Sequence, residues 1–106
     1  MIIYMKSKND KYLAKAQYDV DTKKTIVLKG SRVSEDIAHS QKFRGTRKLE
    51  KLRSMYVIDS IVQEDVTFNS SSTAAVFVSG RSKNGLCTWI TEKGQKLGDY
   101  ILSKQV

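Results

Sequence analysis

Proline is absent from the 106 residues, and cysteine and histidine occur once each, as Cys87 and His39. A single cysteine excludes an internal disulfide bond, and Cys87 with His39 cannot supply the full ligand set of a structural zinc site. No apolar run approaches the roughly 18 residues of a membrane span, and the opening MIIYMKSK lacks the apolar core of a signal peptide. We therefore expect a cytoplasmic protein with no cofactor and no membrane partner.

The chain also lacks the usual signs of a linker. Without proline, a low-complexity tract or an internal repeat, nothing marks a boundary between domains. A hydrophobic content of 40% and a charged content of 28% are typical of a globular protein. We interpret residues 1–106 as one domain that folds around a single modest core.

Negative charge is scarce, because 11 Asp and Glu residues stand against 19 Lys and Arg residues, for a net charge of +8. Such a charge attracts polyanions from a distance, which makes nucleic acid, DNA or RNA, the first partner to consider. Small basic proteins without this role are common, so charge alone leaves the question open.

The apolar patterns predict an α+β fold, in which a small antiparallel sheet is packed by two helices. The polar segment Asp21–Lys24 separates two strand-like segments and indicates a hairpin. Leu49, Leu52 and Tyr56 recur at helical spacing, which places one face of a helix on the core. The predicted strands are Ile2–Met5, Leu13–Val20, Thr25–Lys29 and Leu86–Ile90, and the predicted helices are Thr46–Tyr56 and Ser71–Ser79.

The stretch SSSTAAVFVSGRSKNGLCTWI is interpreted as a helix, a turn and a strand. Ser70 has the chemistry of an N-cap, and Gly80 can end the helix in a left-handed conformation. The alternative is a strand at Val76–Val78, since those residues are good strand formers. Asn84-Gly85 is typical of a tight turn with positive dihedral angles. We expect Trp89 or Phe77 in the core, and Cys87 as an inert, reduced residue packed in the strand after the turn.

The candidate binding residues are cationic. Six basic residues between Lys42 and Arg53 meet one carboxylate, Glu50. In one interpretation, these six residues form an ordinary solvated helix face, and Arg81 and Lys83 form a charge pair on a solvated turn. As phosphate contacts they would position a nucleic-acid backbone without reading its sequence. The candidate nucleic-acid-binding residues are Arg44, Arg47, Lys48, Lys51, Arg81 and Lys83.

Catalytic chemistry finds little support. Gly80 and Gly85 have the spacing of a phosphate-binding P-loop, but Leu86 and Cys87 replace the Lys and Ser/Thr that must follow. His39 and Cys87 could form a base and a nucleophile, although one such pair occurs by chance in most chains. The carboxylates follow no metal-dependent nuclease pattern. The sequence therefore predicts that the protein is not an enzyme and binds no metal.

Several motifs resemble the bacterial and archaeal family called domain of unknown function 4357 (DUF4357). They are Val27–Ser31, Phe68–Ala75, Gly80–Gly85, Trp89 and Gly94 before Leu97, so the resemblance covers about residues 13–97. The family is found behind GIY-YIG nuclease domains and in restriction-modification proteins, and it resembles the RAMA domain linked with adenine methylases. The resemblance implies an accessory domain with a nuclease or methylase partner, and it transfers no cutting activity, since the chain has no nuclease domain.

Two positions depart from the family pattern. Where this chain has Ser71, the family usually has proline, a residue that suits the first position of a helix. It usually has tryptophan directly after Asn-Gly, where this chain has Leu86, so a ligand contact by that ring is not expected here.

The predicted function is a noncatalytic accessory domain that binds nucleic acid through phosphate contacts. The alternative from another class is a protein–protein interaction module, for which an exposed apolar patch would be the mark. A small enzyme would instead require a pocket with clustered titratable groups.

Overall fold

The computed structural model describes residues 1–7, 11–35, 46–81 and 84–104, which form an α+β fold as predicted. Five antiparallel strands lie in the order β6-β3-β2-β1-β7, and a small β4-β5 hairpin lies beside them. The strands are β1 Ile2–Lys6, β2 Leu13–Tyr18, β3 Thr25–Val27, β4 Val57–Ile58, β5 Ile61–Val62, β6 Val66–Phe68 and β7 Ile90–Thr91. The helices are α1 Thr46–Tyr56, α2 Ser71–Ser79, α3 Gly85–Thr88 and α4 Leu97–Lys104.

The β2-β3 hairpin is confirmed, with both strands shorter than predicted. After Tyr18 the Asp19 carboxylate accepts hydrogen bonds from the backbone N–H groups of Asp21 (2.9 Å) and Thr22 (3.3 Å). These bonds start the turn, and they hold the pKa of Asp19 below its usual value. At the other end, Gly30 takes a φ of 90° and donates to the Val62 carbonyl, so the chain leaves β3 toward β5.

Helix α2 has the predicted bounds and both predicted caps. The Ser70 hydroxyl accepts from the Thr73 N–H at 3.1 Å. Gly80 adopts a left-handed conformation and donates to the Val76 carbonyl. The alternative strand at Val76–Val78 is therefore wrong, because local capping at both ends outweighs the strand propensity of three residues.

The core lies between the helices and one face of the sheet. Alternate residues of β2 are buried and exposed, as expected for a strand with one solvated face. Phe77 and Trp89 are both fully buried, which confirms the expected core aromatics. Phe77 packs on Phe68 with ring centroids 5.1 Å apart. Leu97 brings α4, which the sequence did not predict, onto the same core.

The predicted strand Leu86–Ile90 is wrong, because residues Gly85–Thr88 form helix α3 and β7 begins only at Ile90. The Asn84 side chain accepts from the Leu86 N–H and caps the helix, with a φ of −91° instead of the positive angle of a tight turn. Gly85 allows α3 to approach α2 closely, because a Cβ at this position would lie 2.4 Å from the Ser71 carbonyl carbon. Asn-Gly is therefore a cap and a packing contact.

Cys87 is exposed on α3 and does not pack as a small apolar residue, because Gly85–Thr88 form a helix and not the predicted strand. Its expected inertness stays a prediction. Within the described ranges, no helix combines the length and apolar character needed to cross a membrane.

Candidate nucleic-acid interface

Helix α1 presents part of the predicted cationic surface. Leu49 is buried and Leu52 and Tyr56 are half-buried, so this side of the helix packs on the core. Lys48 and Lys51 are exposed on the remainder of the helix. Three residues apart, they are neighbours on the helix surface. We call these two side chains the α1 lysines.

The other candidate residues are placed only in part. Arg47 lies within α1, while Arg44 and Lys83 lie outside the described residues. Arg81 is exposed directly after Gly80, at the C-terminal end of α2. The structure thus brings Lys48 and Lys51 together on one helix and puts Arg81 at the end of another.

Glu50 does not lie between the α1 lysines. Two positions along a helix correspond to a rotation of about 200°, so Glu50 and Lys48 lie on opposite flanks of the solvent face. Glu50 lines a shallow pocket with Glu35, Asp59 and Arg53. The carboxylate therefore belongs to the flank that turns toward β4 and leaves the lysine flank cationic.

Arg53 has a different role from the one its place in the basic run suggests. Its side chain is buried, with 9% exposure. Nη1 donates to the Ser34 carbonyl at 2.7 Å, while Nε and Nη2 donate to the Phe77 carbonyl at 3.1 and 2.9 Å. Nη2 also reaches the Val78 carbonyl and the Ser34 hydroxyl. Arg53 is therefore not available to phosphate, and its inclusion in the cationic surface is wrong.

The carbonyls that Arg53 binds explain its burial. Carbonyls in the last turn of a helix have no partner within the helix and lie at the negative end of its dipole. The guanidinium satisfies those of Phe77 and Val78 in α2 and fixes Ser34 beside them. Burial lowers the pKa of Arg53 to about 10, so the side chain stays charged at neutral pH.

The face of the sheet opposite the core is open, and the sequence did not predict it as a site. Directly opposed residues of antiparallel strands share a face, with Cβ atoms about 5 Å apart. The pairings therefore define three rows across this face. The first row is Lys6, Leu13, Arg32, Ile61 and Ile58. The second row is Lys96, Ile90, Tyr4, Lys15 and Leu28. The third row is Ile2, Gln17, Ile26 and Thr67. We call these three rows the open sheet face.

The charged residues in the three rows of the open sheet face are all cationic. Its charged residues are Lys6, Arg32, Lys15 and Lys96, and no residue of the three rows has a carboxylate. Glu92, in the turn after β7, places its Oε1 atom 3.5 Å from the Tyr4 hydroxyl, at the limit of a hydrogen bond. Leu13 and Ile58 are 54% and 63% exposed. The surface is thus apolar, cationic and solvent-accessible.

A partial signal for this face exists in the sequence. Leu13, Lys15 and Gln17 alternate with Ala14, Ala16 and Tyr18, and the structure exposes the first set and buries the second. The rows themselves depend on strand register and on Arg32 and Lys96, which lie outside the strands. Among the described residues, no group of three or more His, Cys, Asp or Glu side chains could hold a metal ion.

Comparison with protein-family models supports the family resemblance of the motifs. A family model described as "Domain of unknown function (DUF4357)" matches residues 4–101, which extends the resemblance into β1 and α4. No curated protein and no solved structure matches the chain.

Proposed function

The chain belongs to the DUF4357 family, and from the chemistry of its own surface we propose that it is a noncatalytic accessory domain that binds nucleic acid through phosphate contacts. Association with a nuclease or restriction-modification system is part of this proposal. Nucleic-acid binding is proposed from the surface charges, because the family description assigns no activity. Association with a nuclease or restriction-modification system is proposed from the family resemblance alone.

The observation that carries the proposal is the open sheet face, with four cations and no carboxylate in its rows. An antiparallel sheet fixes the spacing of these side chains, so their charges add over one surface. A polyphosphate chain is the partner whose charge such a surface complements. The net charge of +8 extends the attraction beyond the contact itself.

The α1 lysines supply a second set of phosphate contacts. They are exposed on a regular helix, and Arg81 adds a cation at the end of α2. Contacts of this kind release counterions and do not read base sequence. We therefore expect binding that depends strongly on salt and little on sequence.

A salt series tests the proposal. The purified domain is titrated with labelled DNA and RNA, each single-stranded and double-stranded, between about 50 and 200 mM salt. If three phosphates are neutralised, log Kd against log salt should change with a slope near 2.7 for duplex DNA, since each phosphate contributes about 0.9. Binding that is undetectable at low salt, or that does not change with salt, contradicts the proposal.

Protein–protein interaction is the second candidate, because Leu13 and Ile58 are exposed on the open sheet face. Apolar side chains in one row are the mark expected of a protein-binding surface. Such a complex would depend on apolar burial and would persist at high salt, which separates it from phosphate binding.

A further inference from the structure

We infer that the open sheet face is a platform for single-stranded nucleic acid, on which the Tyr4 ring stacks with an unpaired base. The inference rests on the proposed function and narrows it from nucleic acid in general to unpaired strands. It is carried by the width of the sheet, the place of Tyr4 and the cations on either side.

The width of the sheet excludes a groove-reading mode. Five strands about 4.8 Å apart span about 19 Å, whereas the major groove of B-DNA is about 12 Å wide and admits a helix or a two-stranded ribbon. The open sheet face would therefore touch only the backbone of a duplex. Unpaired bases, in contrast, can lie against a broad surface and expose their rings to side chains.

Tyr4 is well placed to receive such a base. It lies in β1, with β2 on one side and β7 on the other, and its cross-strand neighbours are Lys15 and Ile90. It is the one aromatic residue among the three rows, and it is half-buried, so its ring is partly accessible. Ile90 offers an apolar surface beside the ring for the next base, since every base has a π-face.

Cations flank this ring in the same row. Lys15 is the direct neighbour of Tyr4 on β2, and Lys96 follows Ile90 on the other side. At about 5 Å for each cross-strand step, Lys15 lies one step from Tyr4 and Lys96 two steps away. A single-stranded nucleic acid that lies along this row would thus place a base on Tyr4 and phosphates near both lysines. Arg32 lies in the adjacent row.

The combination of cations with an aromatic ring favours single-stranded nucleic acid over a protein as the partner of this face. A protein that covered the face would have to bring carboxylates to match Lys15, Arg32 and Lys96. Single-stranded nucleic acid carries a phosphate and a flat base in every nucleotide, and so it matches both features at once.

Ring removal is the direct test. Anisotropy titrations compare oligothymidylate, oligouridylate and a hairpin duplex with the same number of phosphates, against Tyr4→Leu and Tyr4→Phe. Loss of a stacking ring weakens binding by roughly fivefold to a hundredfold. We expect Tyr4→Leu to weaken both single strands by about tenfold and to leave the duplex unchanged. Tyr4→Phe keeps the ring and should bind as the native chain does.

Cross-linking of the unaltered protein supplies a test that needs no variant. A strand with iodouridine is irradiated in the complex, and the tryptic peptides that gain mass are identified. We expect the adduct on Met1–Lys6, which contains Tyr4. An adduct confined to peptides of α1 would overturn the inference.

The outcomes also separate the inference from the proposed function. Equal affinity for duplex and single strands, together with no effect of Tyr4→Leu, overturns the platform and leaves phosphate binding in place. Absence of binding to every nucleic acid at low salt overturns both.

Discussion

The Nη2 atom of Arg53 lies 2.9 Å from the carbonyl oxygen of Phe77, and this hydrogen bond joins α1 to the C-terminal turn of α2 inside the protein. A residue that the sequence placed in a basic surface run is instead a buried connection between two helices. Among the α1 cations whose side chains the structure describes, Arg53 has a structural role and the α1 lysines are exposed.

Replacement of Arg53 should therefore lower stability. Arg53→Met removes the buried hydrogen bonds that Arg53 donates to the carbonyls of Ser34 and Phe77, and we expect a loss of about 3 kcal/mol in the free energy of unfolding. Arg53→Lys keeps a charge but loses the forked geometry, so we expect a loss of about 2 kcal/mol. Urea denaturation measures both. The matched control is Lys51→Met on the same helix, which should change stability by less than about 0.5 kcal/mol; an equal loss in the control would contradict the assignment.

The stability contributed by Arg53 should not depend on pH between 6 and 9. Burial lowers the pKa of Arg53 to about 10, below its unfolded value, so the folded chain releases this proton first as pH rises above 10. Below that pH the side chain is protonated in both states, and the group adds no slope to stability. The difference in unfolding free energy between the native chain and Arg53→Met, measured at several pH values, should stay constant in this window. A steady change across it would show that the guanidinium titrates there.

Gly85 is a contact of α3 with α2 and tolerates no side chain. A Cβ at this position would lie 2.4 Å from the Ser71 carbonyl carbon and 2.5 Å from the Ser72 nitrogen. These are backbone atoms, so relief requires a shift of the helix, and we expect Gly85→Ala to cost about 3 kcal/mol. Gly94→Ala is the control: its φ of 83° is unfavourable for alanine but its Cβ has open space, and we expect about 1 kcal/mol. Equal melting temperatures for the two variants would refute the packing argument.

Ser71 should accept the proline that is usual at this position in the family. It is the first residue of α2 after the N-cap Ser70, whose φ of −146° and ψ of 153° suit a residue before proline. We expect Ser71→Pro to raise the free energy of unfolding by about 0.5 kcal/mol, because proline restricts the unfolded chain. Thr73→Pro is the control, because it removes the N–H that donates a hydrogen bond to the Ser70 hydroxyl, and it should destabilise the protein. A destabilising Ser71→Pro, seen by thermal melting, would contradict this placement.

The sequence predicted those features that local chemistry determines. Ser70 and Gly80 cap α2 through atoms within four residues, so both ends could be predicted. Gly85 could not, because the contact that requires it is made with Ser71, which is distant along the chain. For Arg53 the deciding carbonyls belong to Ser34 and Phe77, and only the tertiary fold brings them together. The open sheet face could not be predicted either, because its rows depend on the register of the strands.

Charge reversal can separate the two cationic surfaces. Lys48→Glu with Lys51→Glu reverses the α1 lysines, and Lys15→Glu with Lys96→Glu reverses part of the open sheet face, with the same change in net charge. Glutamate forms helices about as well as lysine, so α1 should stay folded. If one lysine of each pair contacts a phosphate, each double variant should lower the salt slope on duplex DNA by about 0.9 and weaken all sequences alike.

The control for net charge is Lys23→Glu with Lys93→Glu, which lie in turns outside both surfaces. It should weaken binding only through the long-range field and leave the salt slope nearly unchanged. If reversal of the α1 lysines weakens binding no more than this control does, the α1 lysines do not contact phosphate. If single strands respond to Lys15 and Lys96 but not to the α1 lysines, the open sheet face makes the phosphate contacts to single strands, because only direct contacts change the number of released counterions.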